Sequence, residues 1–113
     1  QRTNRERMAC VLGGGDMELH RELHRVTRNG RLVHLGPTEF RLLEFLMQSP
    51  GRVFSRTQLL DGVWGRNVYV DERTVDVHIG RLRKAMMHET EADPVRTVRG
   101  AGYAFADRLP EKV

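Results

Sequence analysis

The sequence predicts an α+β domain in which an N-terminal antiparallel sheet precedes three helices and a C-terminal β-hairpin. Three observations support this class. The dipeptide Asn29-Gly30 lies between two short alternating stretches, which is a strong signal for a two-residue hairpin. Two apolar patterns of helical period follow, and a third begins at Arg73. Finally, the stretch 95–105 alternates on both sides of a glycine-containing turn, which predicts a second hairpin.

Length and composition indicate one folded domain with a positive charge. A chain of 113 residues suits a single modest core, and 39% hydrophobic and 30% charged residues are typical of a folded domain. No apolar run reaches the length of a membrane span or a secretory signal, so we expect a cytoplasmic protein without membrane contact. The lone Cys10 excludes an internal disulfide and is expected to be an incidental thiol.

The cations are mostly arginines. The net charge is +4, and Lys84 and Lys112 are the only lysines among 19 Lys and Arg. Arginine favours bidentate contacts with phosphate and guanine, although a GC-rich genome would also enrich it. The positions of the charges are therefore more informative than their number.

Residues 1–15 are predicted to be a linker or N-terminal extension, because they lack a sustained period and end in three glycines. A short strand over Met8 to Leu12 is an alternative for part of this segment. The domain is expected to cover residues 16–106, with a sheet over 16–34, and residues 107–113 to form a tail. His20 and His24 do not form the His-Glu-x-x-His pattern, so no metal site is expected.

Two helices are predicted in the middle of the chain. The first begins at Gly36-Pro37 and ends at Ser49-Pro50-Gly51, and its apolar residues cover more than half of the circumference, so it should be the central core helix. Ser55 to Gln58 is a capping box that opens a second helix, which Gly65 ends. A loop then extends to Glu72, where Asp71 or Glu72 can cap the third helix.

The third helix, predicted over Arg73 to His88, has one apolar and one cationic face. The apolar stripe contains Val75, Ile79, Leu82 and Met86. The opposite face contains Arg73, Val77, Gly80, Arg81 and Lys84. A solvated face is the ordinary alternative, but such a face usually mixes charges and avoids glycine. Charge of one sign on one face favours nucleic-acid binding instead.

The final hairpin, Val95 to Phe105, places Arg99 beside glycines at its tip. A sheet, three helices and a hairpin in this order are typical of a winged helix-turn-helix. In that architecture the third helix lies in the major groove of DNA, and the hairpin, or wing, reaches a neighbouring minor groove.

Several sequence runs carry a family resemblance: LGPTEFRLLEFLM, GRVFSRTQLLDGVWG, NVYV, ERTVDVHIGRLRKA and RTVRGAGYAF. With these runs in order, residues 16–105 resemble the DNA-binding effector domain of OmpR/PhoB-type response regulators, and especially of members that activate phosphate-responsive genes. The resemblance implies a winged helix-turn-helix with an N-terminal four-stranded antiparallel sheet. Gly80 departs from the family, which usually has an arginine there, so one phosphate contact is in doubt.

The resemblance also implies three sets of site residues. Base contacts in the major groove fall on Asp76, Val77 and Arg81, and a minor-groove contact falls on Arg99. Phosphate contacts fall on Trp64, Arg73, Thr74, His78, Arg83 and Thr97. Contact with the sigma subunit of RNA polymerase falls on the loop residues Arg66, Asn67, Val68, Tyr69, Val70, Asp71 and Glu72. A core role for Trp64, and capping or strand roles for Thr74 and Thr97, are the structural alternatives.

The implied partners follow from the same resemblance. They are double-stranded DNA with direct-repeat sites, a second copy bound head to tail, the sigma subunit of RNA polymerase, and a receiver domain and sensor kinase upstream. No cofactor, metal or catalytic residue is expected, because the sequence contains no nucleophile–base pair, metal cluster or phosphate loop. The alternative function is a structural or protein-interaction module with nonspecific nucleic-acid binding. Asp76 argues against nonspecific packaging, because an acid on a phosphate-facing helix suggests that bases are read.

Overall fold

A computed structural model describes residues 11–14, 17–65, 70–87 and 93–106 of the chain. Its elements, in chain order, are β1 (Val11–Gly14), β2 (Met17–His20), β3 (Arg25–Arg28), β4 (Arg31–Val33), α1 (Pro37–Met47), α2 (Arg56–Leu59, continued by a π-helical segment, Leu60–Trp64), α3 (Arg73–Met86), β5 (Val95–Val98) and β6 (Gly102–Phe105). The predicted α+β class and the winged-helix order of elements are confirmed.

The N-terminal sheet is an antiparallel meander of four strands in the order β1-β2-β3-β4. Asn29 (φ 53°) and Gly30 (φ 79°) both have positive φ in the β3–β4 turn, as the predicted two-residue hairpin requires. β1 lies within the segment predicted as a linker and pairs with β2, so the sheet includes residues before Asp16. Val11 and Leu12 of β1 belong to the alternative prediction of a strand over Met8 to Leu12, which is confirmed for these two residues. Residues 1–10 and the predicted tail, 107–113, lie outside the described residues.

The two middle helices begin where the sequence predicts. Pro37 occupies the first turn of α1, and the buried side of that helix holds the centre of the core. At α2, the Ser55 hydroxyl accepts a hydrogen bond from the Gln58 amide (3.1 Å), and the Gln58 side chain accepts one from the Ser55 amide (2.8 Å), so the capping box is confirmed. Gly65, with φ 99°, ends the helix.

The predicted stripe of α3 is confirmed, because Val75, Ile79, Leu82 and Met86 are all buried. The Asp71 carboxylate accepts a hydrogen bond of 3.0 Å from the Arg73 amide, whereas the Glu72 side chain makes no capping bond. Asp71 is therefore the residue that caps the helix. The helix ends at Met86, two residues earlier than predicted.

The wing hairpin packs against the start of α2. β5 pairs with β6, and Tyr103 of β6 also bridges to Phe54, just before the capping box. A side chain at Gly102 would overlap the Phe54 backbone, so glycine is required for this close approach. The hairpin is thus held beside both α2 and α3. None of the helices in the described residues is long and apolar enough to cross a membrane.

Candidate nucleic-acid interface

The face of α3 opposite the core is open to solvent. Its residues Arg73, Val77, Gly80, Arg81 and Lys84 are exposed, and Val77 is exposed to 51%. A Cβ atom at Gly80 would have no heavy atom within 4 Å, so this position is open to solvent. The result is a row of cations around an exposed valine, on a helix whose other side is fully buried. Such a surface suits contact with a polyanion that also offers apolar groups.

Asp76 borders this face and is held by residues from two other elements. Its Oδ1 accepts hydrogen bonds from Arg56 Nε (2.9 Å) and from the Tyr103 hydroxyl (2.5 Å). The hydrogen bond from Tyr103 lowers the pKa of Asp76; burial opposes this effect and Arg56 adds to it, so the net shift is downward. Burial and the nearby carboxylate raise the pKa of the Tyr103 phenol. Asp76 is therefore ionised at neutral pH and has structural partners.

These contacts offer a second explanation for an acid at this position. An acid on a cationic helix face favours base reading, because an acid would repel phosphate. Asp76 also links α3 to α2 and to the wing, and this structural role explains an acid there without any DNA. Base contact by Asp76 thus stays a prediction. Arg56 and Tyr103 were not identified from the sequence, since their partner lies 20 and 27 residues away along the chain.

His78 is largely covered, with a side chain exposed to 17%. Its Nδ1 donates a hydrogen bond of 2.5 Å to the carboxylate of Glu39 on α1, and its ring packs 5.4 Å from that of Trp64. Burial raises the pKa of Glu39, but the hydrogen bond from His78 and the nearby positive charges outweigh it, so that pKa is lowered. Trp64 packs against the core and is half-buried, so the core role is confirmed for part of this side chain, and contact with phosphate stays a prediction.

Arg83 and Thr97, both predicted to contact phosphate, are joined to each other. Arg83 Nη2 donates to Thr97 Oγ1 (2.5 Å) and to the Val95 carbonyl oxygen (2.9 Å). Arg83 Nε forms an ion pair of 3.0 Å with Asp93, and the guanidinium lies 5.7 Å from the Tyr103 ring. These contacts link α3 to β5. They leave Arg83 fewer free donors for an external phosphate than the exposed Arg73, whose guanidinium has no hydrogen bond or ion pair within the described residues.

Arg99 is exposed in the turn between β5 and β6, followed by Gly100 with φ 76°. Thr74, beside Arg73 in the first turn of α3, is half-buried. A surface groove of about 340 Å³ separates the wing from the start of α2. It is lined by Ser55, Arg56, Thr57, Glu72, Thr97, Val98, Arg99, Gly100, Ala101, Gly102 and Tyr103. The wing tip and the start of α3 thus border a common concave surface.

Only part of the predicted polymerase-contacting loop can be placed. Arg66, Asn67, Val68 and Tyr69 lie outside the described residues. Val70 is half-buried; Asp71 and Glu72 are exposed, but both already have roles near the start of α3. Asp71 caps the helix, and Glu72 Oε2 accepts a hydrogen bond of 3.1 Å from the Thr57 hydroxyl. Substituting either acid would therefore also disturb α3.

Comparison with known proteins identifies the relatives of this chain. The sequence model of the family described as "Transcriptional regulatory protein, C terminal" matches residues 30–105. The "Phosphate regulon transcriptional regulatory protein PhoB" of Rhizobium meliloti (strain 1021) is 66% identical over 105 residues, which cover 93% of this chain and 46% of that protein. The protein of the same name from Escherichia coli (strain K12) is 56% identical over 86 residues, covering 76% and 38%. The chain thus spans less than half the length of either relative.

Solved structures show the same fold. The DNA-binding domain of Klebsiella pneumoniae RstA, in complex with the RstA box, superposes with a TM-score of 0.77 at 31% identity, covering 87% of this chain and 98% of that one. DrrB of Thermotoga maritima, described as an OmpR/PhoB homolog, superposes with a TM-score of 0.76 at 32% identity, covering 86% and 44%.

Proposed function

Because this chain belongs to the OmpR/PhoB-type family of C-terminal domains of transcriptional regulatory proteins, we propose that it activates transcription by reading specific sequences in double-stranded DNA. The family is one of DNA-binding effector domains of response regulators and is not an enzyme class. The observation that carries the proposal is the exposed row of Arg73, Val77, Arg81 and Lys84 on a helix whose opposite face is buried.

We propose that α3 enters the major groove and that bases are read there by three neighbouring side chains. Arg81 is exposed and can offer two donors to O6 and N7 of guanine, and the exposed Val77 can pack on a thymine methyl group. Asp76 lies beside them and can accept a hydrogen bond from a base. Arg99, exposed at the wing tip, is proposed to enter the adjacent minor groove.

The phosphate contacts are proposed to differ in strength according to how each residue is already engaged. Arg73 is exposed at the start of α3, so it is the most available cation of the set. His78 is hydrogen-bonded to Glu39, and Arg83 forms an ion pair with Asp93. These two residues are therefore proposed to orient α3 as well as to contact phosphate. Trp64, Thr74 and Thr97 complete the proposed set; such contacts fix the register of the protein on DNA but carry little sequence information.

The wider partners are proposed from the family relationship. We expect direct-repeat operators occupied head to tail by two copies, because the family resemblance implies that arrangement. The same proposal has three further parts. An upstream receiver domain and sensor kinase regulate the chain, the 65–72 loop contacts the sigma subunit of RNA polymerase, and the genes controlled respond to phosphate. We also propose a cytoplasmic location, where those partners would be found.

Selection of bound duplexes from a random library tests this proposal. Enrichment of one motif, repeated in the same orientation, is the expected result. An inverted repeat would contradict the head-to-tail arrangement, and the absence of any enriched motif would contradict sequence-specific binding.

The second candidate is a winged-helix module that binds nucleic acid nonspecifically. The observation in its favour is that Asp76 already has structural partners, so this acid no longer argues against simple charge-based binding. Nonspecific binding depends almost entirely on phosphate contacts and counterion release. A library selection without enrichment, accompanied by binding that falls steeply with salt on every duplex, would support this candidate.

A further inference from the structure

Three elements converge on one oxygen atom beside the exposed face of α3. Asp76 lies in the first turn of α3, Arg56 begins α2, and Tyr103 belongs to the wing strand β6. Both hydrogen bonds, from Arg56 Nε and from the Tyr103 hydroxyl, end on Oδ1 of Asp76. A carboxylate held by two donors from separate elements has a restricted orientation.

The second oxygen of the same carboxylate is left for another donor. Within the described residues, Oδ2 of Asp76 has no hydrogen-bond partner. This oxygen is not buried, so another molecule can reach it. The Asp76 side chain is exposed to 36%. Asp76 is next in sequence to Val77, which lies on the exposed face of α3 and is itself exposed to 51%. A carboxylate oxygen accepts hydrogen bonds only, so it is suited to the amino groups that bases present in the major groove.

From this geometry we propose that Arg56 and Tyr103 are positioning residues for sequence readout: they hold Oδ1 of Asp76 so that Oδ2 accepts a hydrogen bond from the exocyclic amino group of a cytosine or adenine. This inference rests on the proposed function, since it requires α3 to lie in the major groove. It goes beyond that function by assigning specificity to two residues that need not touch a base themselves.

The two positioning residues serve in different ways. The positive charge of Arg56 offsets the negative charge of the Asp76 carboxylate. Asp76 therefore repels the phosphate backbone less when α3 approaches DNA. The Tyr103 ring is buried in the core, and its hydroxyl therefore offers a donor at a fixed place. An aspartate without these partners would sample several rotamers, and ordering it on DNA would cost conformational entropy.

A purely structural network would have a different signature. If Arg56 and Tyr103 only attach the wing and α2 to α3, their loss should weaken binding to all duplexes alike. If they position Asp76, their loss should reduce discrimination at the base pair that Asp76 reads. The preference at each base pair is therefore the decisive quantity, and overall affinity is not.

The experiment measures Kd on a duplex chosen by library selection and on duplexes with each single base-pair change. Variants are Asp76→Ala, Tyr103→Phe, Arg56→Gln and Arg56→Lys, each checked by its melting curve. Arg96→Gln is the matched control, because Arg96 is an exposed wing arginine that makes no hydrogen bond or ion pair within the described residues. A mismatched base pair commonly weakens binding by about 5- to 150-fold.

We expect Asp76→Ala to abolish a preference for an amino-bearing base at one pair. Tyr103→Phe and Arg56→Gln should reduce that preference by about threefold or more at the same pair and leave the others unchanged, and Arg56→Lys should restore part of it. Adding either substitution to Asp76→Ala should cause no further loss there. Arg96→Gln should change no preference.

Two outcomes overturn the inference and can be told apart. In the first outcome, the wild-type chain prefers particular bases, but Asp76→Ala changes the preference at no base pair, or Tyr103→Phe and Arg56→Gln leave unchanged the preference that Asp76→Ala removes. The inference then fails and the proposed function stands. If the wild-type chain discriminates at no base pair, the proposed function fails and the inference fails with it.

Discussion

The guanidinium of Arg28 donates a hydrogen bond of 3.1 Å to the carbonyl oxygen of Met86, the last residue of α3. Arg31 donates a second one, of 3.0 Å, to the same oxygen. The two arginines flank the Asn29-Gly30 turn, so the tight hairpin brings both to the end of a helix whose last carbonyl groups lack helical partners and carry partial negative charge. The N-terminal sheet thus fixes the C-terminal end of the proposed DNA-reading helix.

Arg28→Met should destabilise the fold by about 1–3 kcal/mol, because Arg28 is fully buried and a charged donor to the helix end is lost. The free energy of unfolding from urea titrations is the quantity to measure. Arg31→Met is the matched control and should cost less, since Arg31 is only partly buried. Unchanged or increased stability in Arg28→Met would show that the contact with Met86 contributes little, and equal losses in both variants would show that burial of Arg28 does not strengthen it.

Local signals in the sequence account for most of the fold. Asn29-Gly30, the Ser55 capping box and the apolar stripe of α3 each depend on residues within a few positions of one another, so they can be recognised without a structure. The burial of Arg28 was missed because arginine is usually exposed. A signal existed, since Arg28 lies two residues after the buried Val26 on the same face of β3.

The candidate site was only partly predictable. Helical geometry alone places Val77 and Arg81 on the exposed face of α3. In contrast, the partners of His78 and Asp76 come from elements that are distant in the chain, so no local sequence pattern predicts these contacts. The first strand was predicted only as an alternative, over Met8 to Leu12, because the second half of β1 consists of two glycines, which are uncommon in strands.

Arg81→Ala should weaken binding to a selected duplex by about 1–3 kcal/mol and relax the preference at one base pair, because two donors to a guanine are lost. Arg73→Ala is the comparison, since it removes an exposed arginine from the same helix face and should weaken binding to all duplexes nearly alike. Both are measured by titration on selected and scrambled duplexes. Equal losses on the two duplexes for Arg81→Ala would assign Arg81 to phosphate.

Gly80→Arg should raise the melting temperature and tighten binding to every duplex, because Gly80 is exposed and has open space around it. Replacing a helical glycine gains about 0.5–1 kcal/mol of stability, and each additional phosphate contact steepens the logarithmic salt dependence by about 0.9. Gly80→Ala, the control, should gain stability alone. A Gly80→Arg variant that is more stable but binds more weakly would indicate that glycine allows a close approach to DNA.

Stability should fall as the solution is acidified below the ordinary carboxyl pKa values. The pKa of Glu39 lies below its ordinary 4.5, and that of Asp76 below its ordinary 3.8, in the folded chain. Both carboxylates therefore bind protons more tightly in the unfolded chain than in the folded chain. Their contribution to the free energy of unfolding is complete above the ordinary pKa values and is lost as pH falls through the lowered pKa values of the folded chain. Melting temperatures between about pH 6 and pH 3 measure the effect.

Glu39→Gln should flatten the acid side of that profile, since it removes one of the two responsible groups. The exposed Asp61 provides a charge-matched control, and Asp61→Asn should retain the wild-type slope. A Glu39→Gln profile parallel to the wild type throughout this range would show that the Glu39–His78 pair does not contribute to acid sensitivity.

The measurement that tests sequence-specific reading by α3 most directly is the ratio of Kd values on a scrambled and a selected duplex over a series of salt concentrations. We predict a ratio of at least about tenfold that persists as salt rises, because base contacts survive when the phosphate contribution is screened. Arg81→Ala should reduce the ratio, whereas Arg73→Ala should lower both affinities and leave it nearly unchanged. Equal Kd values on the two duplexes at every salt concentration would contradict specific reading and leave only charge-based binding.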